Sequence, residues 1–290
     1  MKILLLGHSI IDKIEKGNQL RISPGGIYYS LLGVLSVINQ PDQVFLLTGY
    51  NKKSIHLFNN LFSRVDLTYS NELNSLPEVF LQLPEDEERK EIYTNLSTEL
   101  DINKIKNWNL FDGILINMIT GFDISLDKLK QIRRNYSGLI YFDLHTLSRG
   151  VDNNMTRKFR TVPDAGEWIS NVDILQCNEM ELSTLTSESN RSCAIKSILE
   201  YGLKYLIVTR GKHGAELYYL ENSNLRSITR PASSVNVVNK IGCGDIFGAV
   251  FFYNYLCRRD TAYSLEMAVK SAGNAVSMNL LDNINLFLHD

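Results

Sequence analysis

The 290-residue chain has few of the features that mark several classes of protein. It has only six prolines and no Pro- or Ser-rich stretch, so no segment is typical of a linker between domains. Its four cysteines lack the spacing of metal ligands, which favours free thiols in a reducing compartment. No apolar run approaches the length of a membrane span, and the apolar N-terminal run is too short for a signal peptide. We therefore expect a cytoplasmic, globular protein without a membrane partner.

Charge and composition narrow the possible functions further. The net charge is -2 and the chain has no long Lys/Arg run, which argues against nucleic acid as the main partner. Hydrophobic residues make up 44% of the chain and charged residues 21%, enough for a sizeable core. With no internal repeat, residues 1–290 are predicted to form a single α/β domain.

Short apolar runs alternate with helical patterns along most of the chain. This alternation predicts a central, mostly parallel sheet flanked by helices. Ligands of such sheets bind beyond the carboxyl ends of the strands, so polar residues that follow the runs are expected to converge on one cleft. The predicted strands are 2–6, 44–48, 114–119, 139–144, 174–177 and 205–209. The polar residues expected after strands are Asp12, Asp143, Asn178 and Arg210.

Residues 77–94 interrupt this alternation. Two β-type runs flank the acidic stretch 84–88, which predicts a hairpin foreign to a doubly wound parallel sheet. Together with the polar segment 13–24, the hairpin is predicted to form a small β-sheet that acts as a lid, or that serves as a contact in a homodimer. Pro24-Gly25-Gly26 is expected to be a turn that leads into a helix over 27–38.

The sequence Gly242-Cys243-Gly244-Asp245 leads directly into a strongly apolar helical segment. A glycine-rich turn at a helix N-terminus leaves backbone N–H groups available and favours anions, phosphate above all. A carboxylate there would repel a phosphate unless it had a chemical role, such as accepting a proton from an attacking hydroxyl. The alternative is that Asp245 is only an acidic residue favoured by the helix dipole.

This motif resembles the C-terminal signature of the ribokinase-like (PfkB) carbohydrate kinase family. In that family the turn is an anion hole for the transferred phosphoryl group and the aspartate is the catalytic base. Further segments resemble the family's motifs in the family's order along the chain. They are Asp12 with Pro24-Gly25-Gly26 for sugar, Asn178-Glu179-Met180-Glu181 for magnesium and phosphate, and 208–215 and 268–275 for the nucleotide.

The resemblance implies an ATP- and Mg²⁺-dependent kinase and assigns its site residue by residue. The implied catalytic residues are Asp245, Gly242, Cys243 and Gly244. The implied ATP-binding residues are Asn178, Glu181, Thr209, Gly211, Gly214 and Asn274, with Glu181 and Asn178 holding Mg²⁺ through water. The implied acceptor-binding residues are Asp12, Gly25, Gly26, Ser30 and Arg149.

Several of these residues also have a purely structural interpretation. Asn178 and Glu181 have the spacing of a helix cap as well as that of a metal site. Thr209 and Gly211 are equally compatible with a plain turn from a strand into a hairpin. Arg149 is compatible with a phosphate contact or with an ion pair to a nearby aspartate.

The sequence departs from the family's pattern at positions that affect the substrate and the ions. Asn239 and Lys240 stand where the family often has Asp-Thr, which puts a monovalent-cation requirement in doubt. Ile27 replaces a lysine of ribokinases and sugar-phosphate kinases, and Ser30 replaces a common asparagine. The nature of the acceptor therefore stays open.

The hypothesis is an ATP-dependent kinase that phosphorylates a hydroxymethyl group of a sugar, polyol or nucleoside. One alternative is a sugar-sensing relative without turnover, which Asp245 and Glu181 argue against and Asn239-Lys240 leaves open. The other alternative is a nicotinamide-dependent oxidoreductase. It is disfavoured because no Gly-x-Gly-x-x-Gly follows the first predicted strand.

Overall fold

The computed structural model describes residues 1–16, 19–82 and 90–289. Its largest sheet has eight strands in the order β16-β15-β14-β13-β10-β9-β1-β4. The strands from β14 to β4 in this order run parallel, and β15 and β16 add an antiparallel edge. These strands are β1 Lys2–Leu6, β4 Gln43–Leu47, β9 Gly113–Asn117, β10 Leu139–Asp143, β13 Ile174–Asn178, β14 Tyr205–Thr209, β15 Ala215–Glu221 and β16 Asn224–Arg230.

The central strands are apolar on both faces because helices cover both faces. In β1, Ile3 and Leu5 belong to one core cluster, and Leu4 and Leu6 belong to the cluster on the opposite side. Helices α1, α7 and α8 pack on the first side, and α3, α4 and α6 on the second. The helices are α1 Ile27–Leu35, α2 Asn59–Phe62, α3 Leu126–Asn135, α4 Ala165–Ser170, α5 Glu179–Leu182, α6 Arg191–Leu199, α7 Cys243–Arg258, α8 Thr261–Val276 and α9 Ile284–His289.

Helix α7 is the most buried helix near the site, with an unbroken run of buried residues from Asp245 to Leu256. It packs against α1 and α8, and it ends where Arg259 adopts a left-handed conformation. Like α8, it has 16 residues. In the described part of the chain, no helix has both the length and the apolar character needed to cross a bilayer.

A smaller four-stranded sheet has the order β3-β2-β7-β8. Its register places Ser23, Asp12, Val79 and Tyr93 side by side in one row across the sheet, and all four are buried. This row faces the body of the protein, since side chains alternate between the two faces of a sheet. The strands are β2 Ser9–Lys16, β3 Gln19–Gly26, β7 Glu78–Gln82 and β8 Lys90–Asn95.

The predicted architecture, a large mostly parallel sheet flanked by helices with an additional small sheet, is therefore confirmed. The predicted hairpin within 77–94 is present as β7 and β8, which pair antiparallel. The acidic stretch 84–88 lies outside the described residues. Two short pairs complete the sheets, β5 Gly49–Tyr50 with β6 Asn71–Glu72 and β11 Arg149–Val151 with β12 Arg157–Phe159.

Three local predictions were wrong. Pro24-Gly25-Gly26 is not a turn, because these residues form the end of β3 and pair with β2. Pro24 is tolerated there because β3 is an edge strand. On its open side no neighbouring strand is present, so the missing N–H of proline removes no hydrogen bond between strands. Asp12 does not follow a core strand, because the chain after β1 continues in extended form and Asp12 lies within β2. Helix α1 also ends at Leu35, before the predicted end.

A buried ion pair joins the small sheet to the body of the protein. Arg157 on β12 pairs with Glu91 on β8, and both side chains are almost fully buried. The guanidinium also contacts the Tyr93 hydroxyl, donates to the Ile119 carbonyl at 3.0 Å and lies 4.3 Å from the centre of the Tyr93 ring. Burial raises the pKa of the Tyr93 hydroxyl, so this group remains a neutral partner. The network therefore holds β8 against the β11–β12 pair.

We predict that Arg157→Ala will destabilise the fold strongly, because it leaves the Glu91 carboxylate buried without its cation. The expected loss is about 3–5 kcal/mol in the free energy of unfolding. Chemical denaturation followed by circular dichroism measures it. Lys158→Ala is the matched control, since Lys158 is exposed and should matter little. Equal stability of the two variants would contradict a structural role for the buried pair.

Candidate active site

A polar cavity of about 140 Å³ lies where the carboxyl ends of β10, β13 and β14 meet the N-terminus of α7. This is the place at which parallel α/β sheets bind ligands. Its lining residues are Asp143, His145, Arg149, Gln176, Asn178, Glu181, Thr209, Lys240, Gly242, Gly244 and Asp245. The structure thus brings together predicted residues from four separate segments of the sequence.

Gly242 is the cap that starts α7 at this cavity. It has a φ of 77°, a left-handed conformation that favours glycine. A side chain on Gly242 would overlap the ring of Tyr29, so the turn lies directly against α1. The amide groups of the first turn of α7 have no intrahelical acceptors, and the helix dipole adds positive potential there. The geometry suits an anion at the mouth of the helix.

Asp245 lies in the first turn of α7 and is largely buried. Its Oδ1 accepts a hydrogen bond of 2.7 Å from Asn117 Nδ2, and the same amide donates to Ser30 Oγ at 3.0 Å. His145 Nε2 lies 3.9 Å from Asp245 Oδ1. The carboxylate is therefore held in a defined orientation by groups from β9 and from the segment after β10.

Asp143 and Gln176 form a second polar layer beneath this turn. Gln176 Nε2 donates to Asp143 Oδ2 at 2.9 Å and to the Gly244 carbonyl at 3.1 Å, while the Tyr141 hydroxyl donates to Gln176 Oε1 at 2.5 Å. Burial raises the pKa of Asp143 well above its usual range, and the charges of Asp245 and Glu181 raise it further. Acidic groups are thus crowded at the cavity.

Asn178 and Glu181 form a reciprocal helix cap at the start of α5. Asn178 Oδ1 accepts from the Glu181 amide, and Glu181 Oε2 accepts from the Asn178 amide, both at 2.9 Å. The hydrogen bonds of this motif are therefore those of a helix cap, the structural interpretation of its spacing. Both side chains also line the cavity, so capping and a role toward a ligand are compatible.

The positive charges at the cavity come from Lys240 and Arg149. The Arg149 guanidinium lies 4.3 Å from the centre of the Phe159 ring, which supports its position at the start of β11. Lys240 precedes the α7 turn, and its neighbour Asn239 accepts a hydrogen bond from the Ile241 amide at 2.9 Å. Two cations and a helix N-terminus next to acidic groups can bind a phosphate together with a divalent metal.

Of the acceptor residues named by the resemblance, Arg149 lines the cavity itself. The others, Asp12, Gly25, Gly26 and Ser30, lie in a neighbouring region between the small sheet and α1. Gly25 lies against Asp12, and a Cβ on Gly25 would collide with the Asp12 carboxylate. Ser30 is buried on α1 and connects this region to Asp245 through Asn117. Gly26 caps α1. The predicted acceptor region and the cavity are therefore adjacent through one hydrogen-bonded chain.

Some predicted donor residues do not line the cavity. Gly211 begins the short 3-10 turn after β14 and Gly214 follows it, and Asn274 is exposed on α8. Thr209 does line the cavity, and the segment after it turns into the β15–β16 hairpin. The hairpin turn proposed as the plain structural interpretation is thus present.

Asn117 and Gln176 were not predicted as site residues, although each contacts a group at the turn of α7. Both are polar residues within otherwise apolar, buried strands. A buried amide needs partners, so a single polar residue in an apolar strand was an available signal for a site.

Residues 145–282 match the profile of the pfkB family carbohydrate kinases. The matched residues, 138 of 290, make up just under half of the chain. An uncharacterized sugar kinase of Archaeoglobus fulgidus is 26% identical over 162 residues, and this match covers 56% of the chain and 58% of the length of that relative.

Solved structures with the same ribokinase-like fold cover nearly the whole chain. Adenosine kinase from Sinorhizobium meliloti superposes with a TM-score of 0.78 at 14% identity, over 96% of this chain and 94% of that one. A pyrophosphate-dependent kinase in the ribokinase family, complexed with a pyrophosphate analog and myo-inositol, has a TM-score of 0.77 at 14% identity, over 95% of each chain. At these identities the likeness establishes the fold.

We predict that Asp143→Asn will change how stability depends on pH. Because the pKa of Asp143 is raised in the folded protein, the folded state keeps a proton that the unfolded chain has lost. The wild type therefore loses stability as the pH rises above about 4, toward the raised pKa. Asp143→Asn should gain stability relative to the wild type, and the gain should be larger at about pH 8 than at about pH 5.

Chemical denaturation at the two pH values measures this difference. Asp152→Asn is the control with the opposite sign, because Lys158 and backbone amides lower the pKa of Asp152. Its carboxylate stabilises the fold above the ordinary carboxyl pKa, so this contribution is present at both pH values. Asp152→Asn should therefore lose the same stability at each. A gain for Asp143→Asn that is the same at both pH values would contradict the raised pKa.

Proposed function

We propose that this chain transfers the γ-phosphoryl group of ATP to a hydroxymethyl group of a sugar, polyol or nucleoside. One observation carries the proposal. The Asp245 carboxylate, fixed by Asn117 at 2.7 Å, lies at the mouth of α7 in a cavity that also contains Lys240 and Arg149. A base, an anion-binding helix end and two cations are the groups that phosphoryl transfer to a hydroxyl requires.

In the proposed reaction, the acceptor hydroxyl attacks the γ-phosphorus as its proton passes to Asp245. The bond from the γ-phosphorus to the bridging oxygen breaks, and ADP leaves. Backbone amides of residues 242–245 stabilise the charge on the transferred group, since they are oriented before the reaction begins. Lys240 and Arg149 balance the charge of the donor phosphates.

Kinases of this family generally use ATP with a divalent metal, and the residues present fit Mg²⁺. In residues 1–16, 19–82 and 90–289, no group of three or more His, Cys, Asp or Glu could hold a metal alone. Mg²⁺ instead prefers one or two carboxylates, several waters and substrate phosphates. Glu181 and Asn178 would hold it, partly through water, and it would neutralise the phosphate charge.

The small sheet is proposed to be the lid over the acceptor. Its buried row with Ser23 and Asp12 faces α1, and Arg157 anchors β8 to the segment that begins with Arg149. A lid excludes water, which would otherwise compete with the acceptor for ATP. The anchored edge would keep the lid aligned with the cavity.

A screen of sugars, polyols and nucleosides for acceptor-dependent ADP release tests the proposed function. ATP and pyrophosphate should be compared as donors in the same screen, because a structural neighbour is pyrophosphate-dependent. Acceptor-dependent turnover supports the proposal. Acceptor binding without turnover with either donor would favour the non-catalytic, sugar-sensing alternative.

We predict that Asp245→Asn will fold normally and lose about 10²–10⁴-fold in turnover, the usual range for a positioned general base. The asparagine keeps an oxygen that can accept from Asn117 but cannot take the proton. Steady-state kinetics and circular dichroism measure the two effects. Asp282→Asn, an exposed carboxylate near the C-terminus, is the control. Turnover within a few-fold of the wild type would remove Asp245 from the mechanism.

We further predict that Lys240 supplies the positive charge that a monovalent cation provides in relatives with Asp-Thr at these positions. Activity should be similar in sodium, potassium and large organic cations at matched ionic strength, because the charge belongs to the protein. Lys240→Ala should lower turnover, and potassium should partly restore it. Lys196→Ala, which removes an exposed lysine on α6 away from the cavity, is the control. Strong potassium activation of the wild type would contradict this role.

A further inference from the structure

Three buried polar atoms around the predicted acceptor region lack hydrogen-bond partners in the described part of the chain. They are the Tyr29 hydroxyl, Ser23 Oγ and Asn117 Oδ1, and each residue is at most 2% exposed. Buried polar atoms are nearly always paired in folded proteins, because an unpaired one has lost water without a replacement. Three such atoms in one region indicate a site that is completed by a ligand.

The three atoms belong to three different elements around this region, β3, α1 and β9. Ser23 lies opposite Asp12 in the β2–β3 ladder, so their side chains are neighbours on the inner face of the small sheet. Tyr29 is on α1, which begins directly after β3. Asn117 ends β9, and its amide nitrogen already contacts Ser30 and Asp245.

Tyr29 connects the acceptor region to the catalytic turn. Its ring lies against Gly242, whose missing side chain makes the contact possible. Burial raises the pKa of its hydroxyl well above the usual range, and Asp12 raises it further, followed by Tyr28 and Asp245. The hydroxyl therefore stays protonated and can donate a hydrogen bond. Asp12 and Asp245, whose charges both raise its pKa, lie at the two ends of the region. Its neighbour Tyr28 differs, because the Tyr28 hydroxyl exchanges hydrogen bonds with Asn60.

We infer that the Tyr29 hydroxyl, with Ser23 Oγ and Asn117 Oδ1, binds the hydroxyl groups of an uncharged polyhydroxylated acceptor. The inference rests on the proposed kinase function and narrows its substrate class. Asp12 and Asp245 flank the region, and both repel an acceptor that already carries a phosphate. Hydroxyl groups of a neutral acceptor can instead pair with the carboxylates and with the three unpaired atoms.

The test uses Tyr29→Phe with Tyr28→Phe as the matched control. Tyr29→Phe removes a buried hydroxyl that has no partner, so the free energy of unfolding should be unchanged or higher. The same change should raise the acceptor KM about tenfold, because one hydrogen bond to the acceptor is lost. Tyr28→Phe should show the reverse, a lower stability and an unchanged KM. A merely structural role for Tyr29 would lower stability and leave the KM unchanged.

Ser23→Ala provides a second variant that should also raise the KM. The acceptors compared are ribose, fructose, myo-inositol and adenosine, each with its own monophosphate. Preference for a monophosphate, or an unchanged KM in both Tyr29→Phe and Ser23→Ala, would overturn the inference.

Calorimetric binding of the same compounds separates this inference from the proposed function. If the wild type binds a neutral acceptor without phosphorylating it, the kinase proposal fails. Weaker binding by Tyr29→Phe would then still support the acceptor site, and equal binding would overturn it. Failure of the wild type to bind any neutral compound would overturn the inference as well.

Discussion

The arrangement of the site depends on one buried carboxylate. Asp245 is largely buried, and a buried charge is costly unless hydrogen bonds and nearby dipoles compensate for it. Asn117 and the N-terminal end of α7 supply that compensation. Asn117 also contacts Ser30, so β9, α1 and α7 are all positioned by the same requirement. The proposed acceptor and donor regions meet at this point.

The second constraint is the balance of charge around the cavity. Asp143, Asp245 and Glu181 are close enough for the last two to raise the pKa of the first. Lys240 and Arg149 face the same space from other segments. A cavity lined by several acids and two cations is suited to a phosphate bound to a divalent metal, because the acids attract the metal and the cations attract the phosphate.

The small sheet is fixed to the core by the buried pair of Arg157 and Glu91. Arg157 lies on β12, whose partner strand β11 begins with Arg149 at the cavity. The same hairpin therefore touches both the proposed lid and the proposed donor site. This connection gives a physical reason why displacement of the small sheet would be felt at the cavity, because a buried ion pair is costly to break on one side.

The sequence by itself determined the features that depend on local patterns. Alternating apolar runs predicted the parallel strands, the two β-type runs within 77–94 predicted β7 and β8, and the glycine-rich turn predicted the start of α7 near Asp245. These predictions succeeded because strand periodicity and helix termini depend on residues a few positions apart. The pattern failed at Pro24-Gly25-Gly26, where strand pairing with β2 overrides a local preference for a turn.

Only the tertiary structure decided which distant polar groups share a site. Asn117 and Asp245 are 128 residues apart, and Glu91 and Arg157 are 66 apart. Nothing in the local sequence around Tyr29 shows that its hydroxyl is buried without a partner while that of Tyr28 is paired. Partners of buried polar groups are set by how the elements pack, and packing joins segments that sequence order keeps far apart. For Asn178 and Glu181 the sequence left two interpretations open, a helix cap and a metal site. In the structure the two residues form the helix cap and also line the cavity.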